Sequence, residues 1–382
     1  MRYKNLEINY FRGIKRCSIK SLKRVNIFLG QNNSGKSSVL EAVFVLTGAN
    51  NPRSLLSLDL LRNLLYVEPN DLRHFFYKLD YESKLQIFGE MYEEDETRKL
   101  TIVPKSDNST NSLSLLTSES LAKISTITST SELDESLDFT VDNQNINTLE
   151  FIAEIKKRHQ PKVELVSRLS YQKDKNGLPS FNIVIDKSNY KSNFNAVIQS
   201  ANSAVNDLSK RLENIIIAKN KSQIINQLKV IDKNVNDIAA GSNNMVYLDI
   251  GAKRMIPANL MGDGILKFLN IIANINQVPN GVILIDEIDN GLHFSVLKNL
   301  WKFLFLVSAQ NNTQVFITTH SKEALKLLKD VLEEDKNYTG YQKDLSCYTL
   351  SKLDDDTVMA YNFEFPSLEY MVENDLEIRG EI

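Results

Sequence analysis

Val25-Asn26-Ile27-Phe28-Leu29, Gly30-Gln31-Asn32-Asn33-Ser34-Gly35-Lys36-Ser37 and Ser38-Val39-Leu40-Glu41-Ala42-Val43-Phe44-Val45-Leu46 follow one another without a break, and their reading decides the fold. The first five residues form a short apolar run, the pattern of a buried strand. The last nine read as a helix that stops at Gly48, with Pro52 just beyond. A glycine-rich turn between a strand and a helix is the setting that a phosphate-binding loop requires. The segment from Gly30 through Asn32, Asn33, Ser34 and Gly35 to Lys36, Ser37 and Ser38 is therefore expected to cradle phosphates. Its N–H groups collect at a helix N-terminus, where the helix dipole also favours an anion. Lys36 is expected to reach the β- and γ-phosphates, and the Ser37 hydroxyl to ligate Mg²⁺.

A phosphate cradle specifies binding only; the chemistry comes from later segments. The run Val282-Ile283-Leu284-Ile285 ends in Asp286-Glu287. Asp286 is expected to hold the Mg²⁺ water shell beside Ser37, and Glu287 to orient and deprotonate an attacking water. Positioning and electrostatics of this kind dominate phosphoryl transfer. The plainer alternative is two surface acids at a strand end. His320 follows the next apolar run, Gln314-Val315-Phe316-Ile317-Thr318, and can hydrogen-bond a γ-phosphate there, because ligands gather at the carboxyl ends of such strands. His293 reads as an interface or structural residue, and His74 and His159 have no supporting constellation. Gly262-Asp263-Gly264, within Leu260-Met261-Gly262-Asp263-Gly264, opens a helix and can offer N–H groups to an anion. Taken alone it is an ordinary loop.

The remaining pattern bounds the class. With 382 residues, 42% hydrophobic and 24% charged, the chain has the composition of a globular protein. Its net charge of −3 (45 − 48) makes no global case for nucleic-acid binding. A local basic face stays open at Lys210, Arg211, Lys219 and Lys221, which read equally as the solvated side of a helix. Cys17 and Cys347 fit no metal spacing and read as reduced thiols. Met1 runs straight into Arg2-Tyr3-Lys4, and no apolar run approaches the ~18 residues of a membrane span. The expectation is a soluble, cytoplasmic protein without a membrane partner.

Along the chain, Leu6 to Tyr10 alternates as a strand and Phe11 to Ile14 turns. Leu55, Leu56, Leu60, Leu61, Leu64 and Leu65 have helical spacing. Lys84–Phe88 pairs with Lys99–Val103, and Lys162–Val166 with Phe181–Ile185 about an Asn176-Gly177 turn. Residues 106–136, rich in Ser, Thr and Asn, read as a long polar excursion. Helical stripes follow at Val205, Leu208, Leu212 and Ile216, and at Ile224, Leu228, Ile231, Val235 and Ile238. Met245–Asp249 resumes the strand pattern, and Phe294–Val307 is helical. Cys347–Leu350 and Val358–Tyr361 form a hairpin about Asp354-Asp355-Asp356, before a helix over Ser367–Asn374. The predicted class is α/β. The predicted units are 1–53 with the phosphate loop, an inserted helical and strand-pair region at 54–245, and a second nucleotide-binding lobe at 246–382.

Phe11-Arg12-Gly13, Gly30–Ser37, Leu260–Gly264, Asp286-Glu287, Asp289-Asn290-Gly291-Leu292-His293 and His320, in that order, resemble the ATP-binding-cassette (ABC) ATPase superfamily. The similarity is to its branch of SMC proteins, RecF and OLD ATPases. It covers the two ends of the chain and only loosely the middle. Asp375-Leu376-Glu377-Ile378-Arg379 also resembles the end of OLD-like ATPase domains. The resemblance implies an ABC-type head with a mixed, largely parallel sheet that binds ATP and Mg²⁺ and hydrolyses ATP to ADP and phosphate. It further implies a homodimer or larger homo-oligomer with ATP sandwiched between copies. Gly262, Asp263 and Gly264 would touch the γ-phosphate of the partner's nucleotide, and Arg12 and Asp289 would add nucleotide contacts.

Two departures bear on turnover. Met261 stands where the wider superfamily has a serine, so a hydroxyl contact is missing. The glutamine that couples metal to conformational change has no evident position, since Gln86 lies inside a strand-like run. The residues after His320 lack the Glu…Asp-x-Asp pattern of a TOPRIM nuclease. The resemblance is thus to stand-alone ATPase subunits of anti-phage systems such as PARIS and Septu, which work with a separate effector, nuclease or TOPRIM-like, with DNA as a further possible partner. The alternatives are an ATP-binding scaffold with negligible hydrolysis, a RecF-like repair ATPase and, less favoured by the long stretch between Ser37 and Leu260, a transporter cassette.

Overall fold

The computed structural model describes the chain except residues 63, 65–71, 94, 107–114, 117–146, 174–178, 187–189, 191, 193, 201–207, 230–231, 242–244 and 378–382. A hairpin of β1 (Tyr3–Phe11) and β2 (Ile14–Ile19) opens the fold, followed by β3 (Val25–Leu29), α1 (Lys36–Thr47) and α2 (Arg53–Leu61). Strands β4 (Leu85–Met91), β5 (Thr97–Ser106), β6 (Leu115–Leu116), β7 (Asn147–Lys156), β8 (Val163–Lys173) and β9 (Pro179–Val184) come next, then β10 (Ala196–Gln199). A small lobe contains α3 (Leu208–Ile217), α4 (Lys221–Leu228), β11 (Asp237–Ala240), β12 (Val246–Asp249) and β13 (Ile256–Pro257). The chain closes with α5 (Asp263–Gln277), β14 (Val282–Ile285), α6 (Phe294–Gln310), β15 (Gln314–Thr318), α7 (Lys322–Glu334), β16 (Leu345–Lys352), β17 (Thr357–Phe363) and α8 (Phe365–Glu373).

Among the described residues these strands form a 14-stranded sheet in the order β10-β14-β15-β3-β16-β17-β2-β1-β4-β5-β7-β8-β9-β6 and a separate sheet β11-β12-β13. The fold is α/β. Strands β10, β14, β15, β3 and β16 run parallel. From β1 to β9 the pairing is antiparallel. The parallel strands are continuous apolar runs because they are covered on both faces. Val25, Ile27, Leu29, Ile283, Ile285, Val315 and Ile317 face a core shared with α5, α6 and α7. Phe28, Val282, Leu284 and Phe316 face the opposite core, shared with α1, α2 and the antiparallel wing. Strand alternation alone thus divides one sheet between two cores. The stretch predicted as an insertion shares this sheet at two places, with β4 on β1 and β10 on β14.

Several expectations hold: β4 pairs with β5, β8 with β9, and β16 with β17. One does not. The apolar spacing through Ile224, Leu228, Val235 and Ile238 predicts a single helix, but α4 ends at Leu228. The Asp232 carboxylate accepts the Asn234 N–H, turning the chain. Ile238 then faces the same core from β11. Leu115–Leu116, within the predicted polar excursion, pair with β9. The rest of that excursion from residue 107, together with Leu65, Asn176-Gly177, Val205, Ile231 and Ile378-Arg379, lies outside the described residues. Among the described residues no helix is long and apolar enough to cross a membrane. Cys17 and Cys347 are buried free thiols, and burial pushes Cys17 up to about 12.

Candidate functional site

Register brings the site together. Ile285 pairs with Ile317, which pairs with Ile27, and Thr318 pairs with Phe28. The residues after β3, β14 and β15 therefore leave the carboxyl edge of the sheet side by side, where open α/β sheets bind ligands. Gly30 has φ 144°, and a side-chain carbon there would lie 2.5 Å from the Leu350 carbonyl and the Ser34 hydroxyl. Gly35 has φ 97°, and Asn33 also takes a left-handed turn at φ 65°. The loop needs glycine at its two ends because the chain doubles back beneath α1. Helix α1 starts with no side-chain cap and no acid in its first turn. Its leading N–H groups are thus oriented for an anion. Ser34 is buried, Asn32 and Asn33 are exposed, and Ser38 is half-buried.

The Lys36 ammonium donates to the carbonyls of Gly30 and Gln31, both at 2.7 Å. Burial pushes its pKa down, against the pull of Asp286 and Glu287. Ser37 Oγ donates to Asp286 Oδ1 at 3.1 Å, joining residues 249 positions apart. Thr318 Oγ1 donates to the same oxygen at 2.5 Å. The loop and the acidic strand end thus share one cleft. Its donor set of a carboxylate and two hydroxyls is the hard-oxygen chemistry that suits Mg²⁺.

Glu287 has φ 50°, a left-handed conformation that costs a bulky residue roughly 1–3 kcal/mol. Its N–H donates to Thr318 Oγ1 at 2.8 Å, and Asn290 donates to its carboxylate at 3.4 Å. Asp289 Oδ1 accepts from Thr319 Oγ1 at 2.5 Å, and its other oxygen lies 4.0 Å from His320 Nε2. The neighbouring hydroxyls of Thr318 and Thr319 therefore orient the two aspartates. No pattern in the sequence singles out these two hydroxyls, which act only once β15 lies beside β14.

A glutamine also stands here. Gln199 ends β10, pairs with Ile285, and accepts the Asp286 N–H on its carbonyl at 2.9 Å. Its side-chain oxygen accepts from Asn274 of α5 at 3.3 Å. Gln86 instead donates to Thr101 inside the wing. The signal for Gln199 is a three-residue apolar run, Ala196-Val197-Ile198, followed by Gln, too short to stand out. The Gly262 turn is solvent-exposed with φ 96°, and Leu260 beside it is 78% exposed. A side-chain carbon at Gly264 would lie 3.4 Å from Val296. Helix α5 begins at Asp263.

Two cations sit differently from expectation. Arg12, predicted as a nucleotide contact, is turned away into a buried network. Its Nε donates to Glu41 at 2.9 Å, its Nη2 to Asp59 at 3.4 Å, and its guanidinium lies over the Phe75 ring. Arg62 donates to the other Glu41 oxygen, and His74 Nε2 lies 2.8 Å from Asp59. Glu41 is on α1, so Arg12 braces the helix that carries the phosphate loop. Arg211, read as solvated, is buried on Asn270 and Asn274 of α5. His293 caps α6 by accepting the Ser295 N–H, a structural role. Asp59→Ala should lower stability by about 3 kcal/mol, since it strips Arg12 and His74 of a fully buried acid. The urea midpoint reads this, and an unchanged midpoint would show the network to be dispensable.

Residues 25–326 match the family described as "AAA domain, putative AbiEii toxin, Type IV TA system". A protein of Helicobacter pylori (strain ATCC 700392 / 26695) named ATP/GTP phosphatase is 28% identical, over 98% of this chain and 99% of its own length. The DNA replication and repair protein RecF of Streptococcus suis (strain 05ZYH33) is 37% identical over 57 residues, 15% of this chain and 16% of its own. Among solved structures, the SMC head domain from Thermotoga maritima aligns over 95% of this chain and 100% of that one, at 12% identity and a TM-score of 0.44. The SmcHead bound to the C-winged helix domain of ScpA aligns over 96% and 99%, at 12% identity and a TM-score of 0.46.

Proposed function

This chain belongs to the AAA domain family that its residues 25–326 match, and from that premise we propose that it is an ABC-type ATPase, dependent on Mg²⁺, whose nucleotide state controls its assembly. The single observation that carries this reading is the 3.1 Å hydrogen bond between Ser37 of the phosphate loop and Asp286. The loop N–H groups and Lys36 bind the triphosphate. Ser37 and Asp286 would hold the metal, which would supply charge neutralisation to the transferring phosphoryl group. Glu287 takes the proton of the attacking water, and His320, steadied by Asp289, donates to the γ-phosphate. The name of the Helicobacter relative, ATP/GTP phosphatase, supports nucleoside-triphosphate hydrolysis.

For assembly, the turn that begins at the exposed Leu260 and Gly262 is offered, through Gly262, Asp263 and Gly264, to the nucleotide of a second copy. Gln199, between the metal acid and α5, is the glutamine that links the two events. The units are a first lobe over 1–53, an intervening region over 54–245 and a second lobe over 246–382. The reading extends to a cytoplasmic role in bacterial defence, with a separate nuclease as effector; the family description, a putative toxin of a type IV toxin–antitoxin system, supports only that the chain works within a two-component system. With Arg211 buried and Lys221 paired with Asp237, the basic helix face once open to DNA is reduced. A second reading, an ATP-binding scaffold with negligible hydrolysis, is favoured by Met261, which packs half-buried against the core and supplies no hydroxyl. Mass photometry of Glu287→Gln tests assembly control. ATP with Mg²⁺ should at least double the particle mass relative to nucleotide-free protein, and an unchanged mass would reject assembly control. Mg²⁺-dependent phosphate release by the wild-type protein rejects the inert scaffold.

A further inference from the structure

Lys267 lies on α5, one turn beyond Gly264. Its ammonium donates to three main-chain carbonyls at once: Glu287 at 3.2 Å, Ile288 at 2.9 Å and Asn290 at 2.8 Å. A lysine has three N–H donors, so all three are committed to one loop. That loop joins Asp286 to α6 and carries Glu287 and Asp289. Three carbonyls of this one loop converge on the ammonium, next to the left-handed bend at Glu287, φ 50°. Burial pushes the Lys267 ammonium down to about 8, against the pull of Asp289 and Glu287. Holding a cation there costs desolvation, and neutral carbonyls repay it only through good geometry. An apolar side chain would avoid that cost. The position instead provides a rigid tie between the helix behind the Gly262 turn and the backbone of the loop.

We infer that Lys267 is a positioning residue, which fixes the Glu287 loop in its left-handed bend and so couples the placement of α5 to the placement of the catalytic acid. The inference rests on the hydrolytic reading above and deepens it. A shift of α5, whose N-terminal turn meets the second copy, pulls on the loop through three hydrogen bonds. Glu287 is then aimed at the attacking water only when α5 is seated. Lys267 touches neither nucleotide nor metal in this scheme, so its loss should spare nucleotide binding.

The test is Lys267→Met, alone and combined with Glu287→Gln, read by single-turnover ATP cleavage and by equilibrium binding of ATP with Mg²⁺. Misplacing a reacting group by about 1 Å costs about 100-fold in rate. Lys267→Met should therefore lower the cleavage rate by that order, with the ATP dissociation constant within about twofold. In the Glu287→Gln background, Lys267→Met should change the residual rate by less than about twofold, because residues acting as a unit are non-additive. Lys267→Arg, which keeps N–H donors, should recover most of the rate. If the methionine variant does not fold, Lys267→Gln is measured in its place by the same criteria. Equal fold-losses in both backgrounds, or a wild-type rate in the single variant, overturn the inference. A wild-type rate in Glu287→Gln removes its premise as well, whereas loss there with an unaffected Lys267→Met removes the inference alone.

Discussion

Glu287→Gln should lower ATP turnover by roughly 100- to 10,000-fold, the range that a positioned general base supplies. Glutamine has the same shape and keeps the N–H that donates to Thr318 Oγ1, so the bend at φ 50° survives. It cannot accept a proton from water. The side chain takes no part in holding the phosphate loop, which is braced through Gly30, Lys36 and Ser37. ATP binding should therefore stay within about threefold, and the variant should accumulate as a nucleotide-bound species. Phosphate release and equilibrium dialysis with labelled ATP check both halves. Release above a tenth of the wild-type rate would remove Glu287 from the chemistry.

Asp286→Ala should be nearly as severe through a different step. Asp286 Oδ1 collects the hydroxyls of Ser37 and Thr318, so its loss frees both from their shared acceptor. A carboxylate that orients a metal's ligands is worth about 10- to 100-fold in metal affinity. The loss of charge stabilisation at the transferring phosphoryl group adds to this, for a combined fall in turnover of roughly 100- to 1,000-fold. The site is half-buried and water can reach the freed hydroxyls, so the urea midpoint should barely move. A Mg²⁺ titration of phosphate release reads the effect. Turnover that reaches the wild-type maximum at high Mg²⁺ is expected only if Asp286 serves affinity alone, and an unchanged half-saturation point would refute its metal role.

The legible part of this protein was local. Val25 to Leu46 reads as strand, turn and helix because each step is set by neighbours: apolar runs, two glycines and a stop at Gly48. The strands ending at Ile285 and Thr318 were visible for the same reason, since burial on both faces leaves an unbroken apolar run. What escaped depended on contacts across long separations. The direction of Arg12 is set by Glu41 and Asp59, 29 and 47 positions away, which outcompete the cleft for its guanidinium. Gln199 acquires its place only when β10 pairs with β14, across more than 80 positions. Lys267 shows no helical-stripe signal, because its partners are main-chain carbonyls, which carry no residue-type pattern. Ile238 misled for the opposite reason: its spacing fits a helix, and a polar turn at Asp232 moved it to a strand facing the same core.

The central claim is that the early loop and the late acidic strand end hold one metal–nucleotide complex between them. Its most direct test is a crystal of the protein grown with Mn²⁺ and a non-hydrolysable ATP analogue, with the metal located by its anomalous signal. The account predicts one strong peak at ligating distance from Ser37 Oγ, on the side of Asp286, with the β- and γ-phosphates inside the Gly30–Ser37 turn. A metal seated away from Ser37 and Asp286, or a triphosphate bound outside that turn, would contradict it.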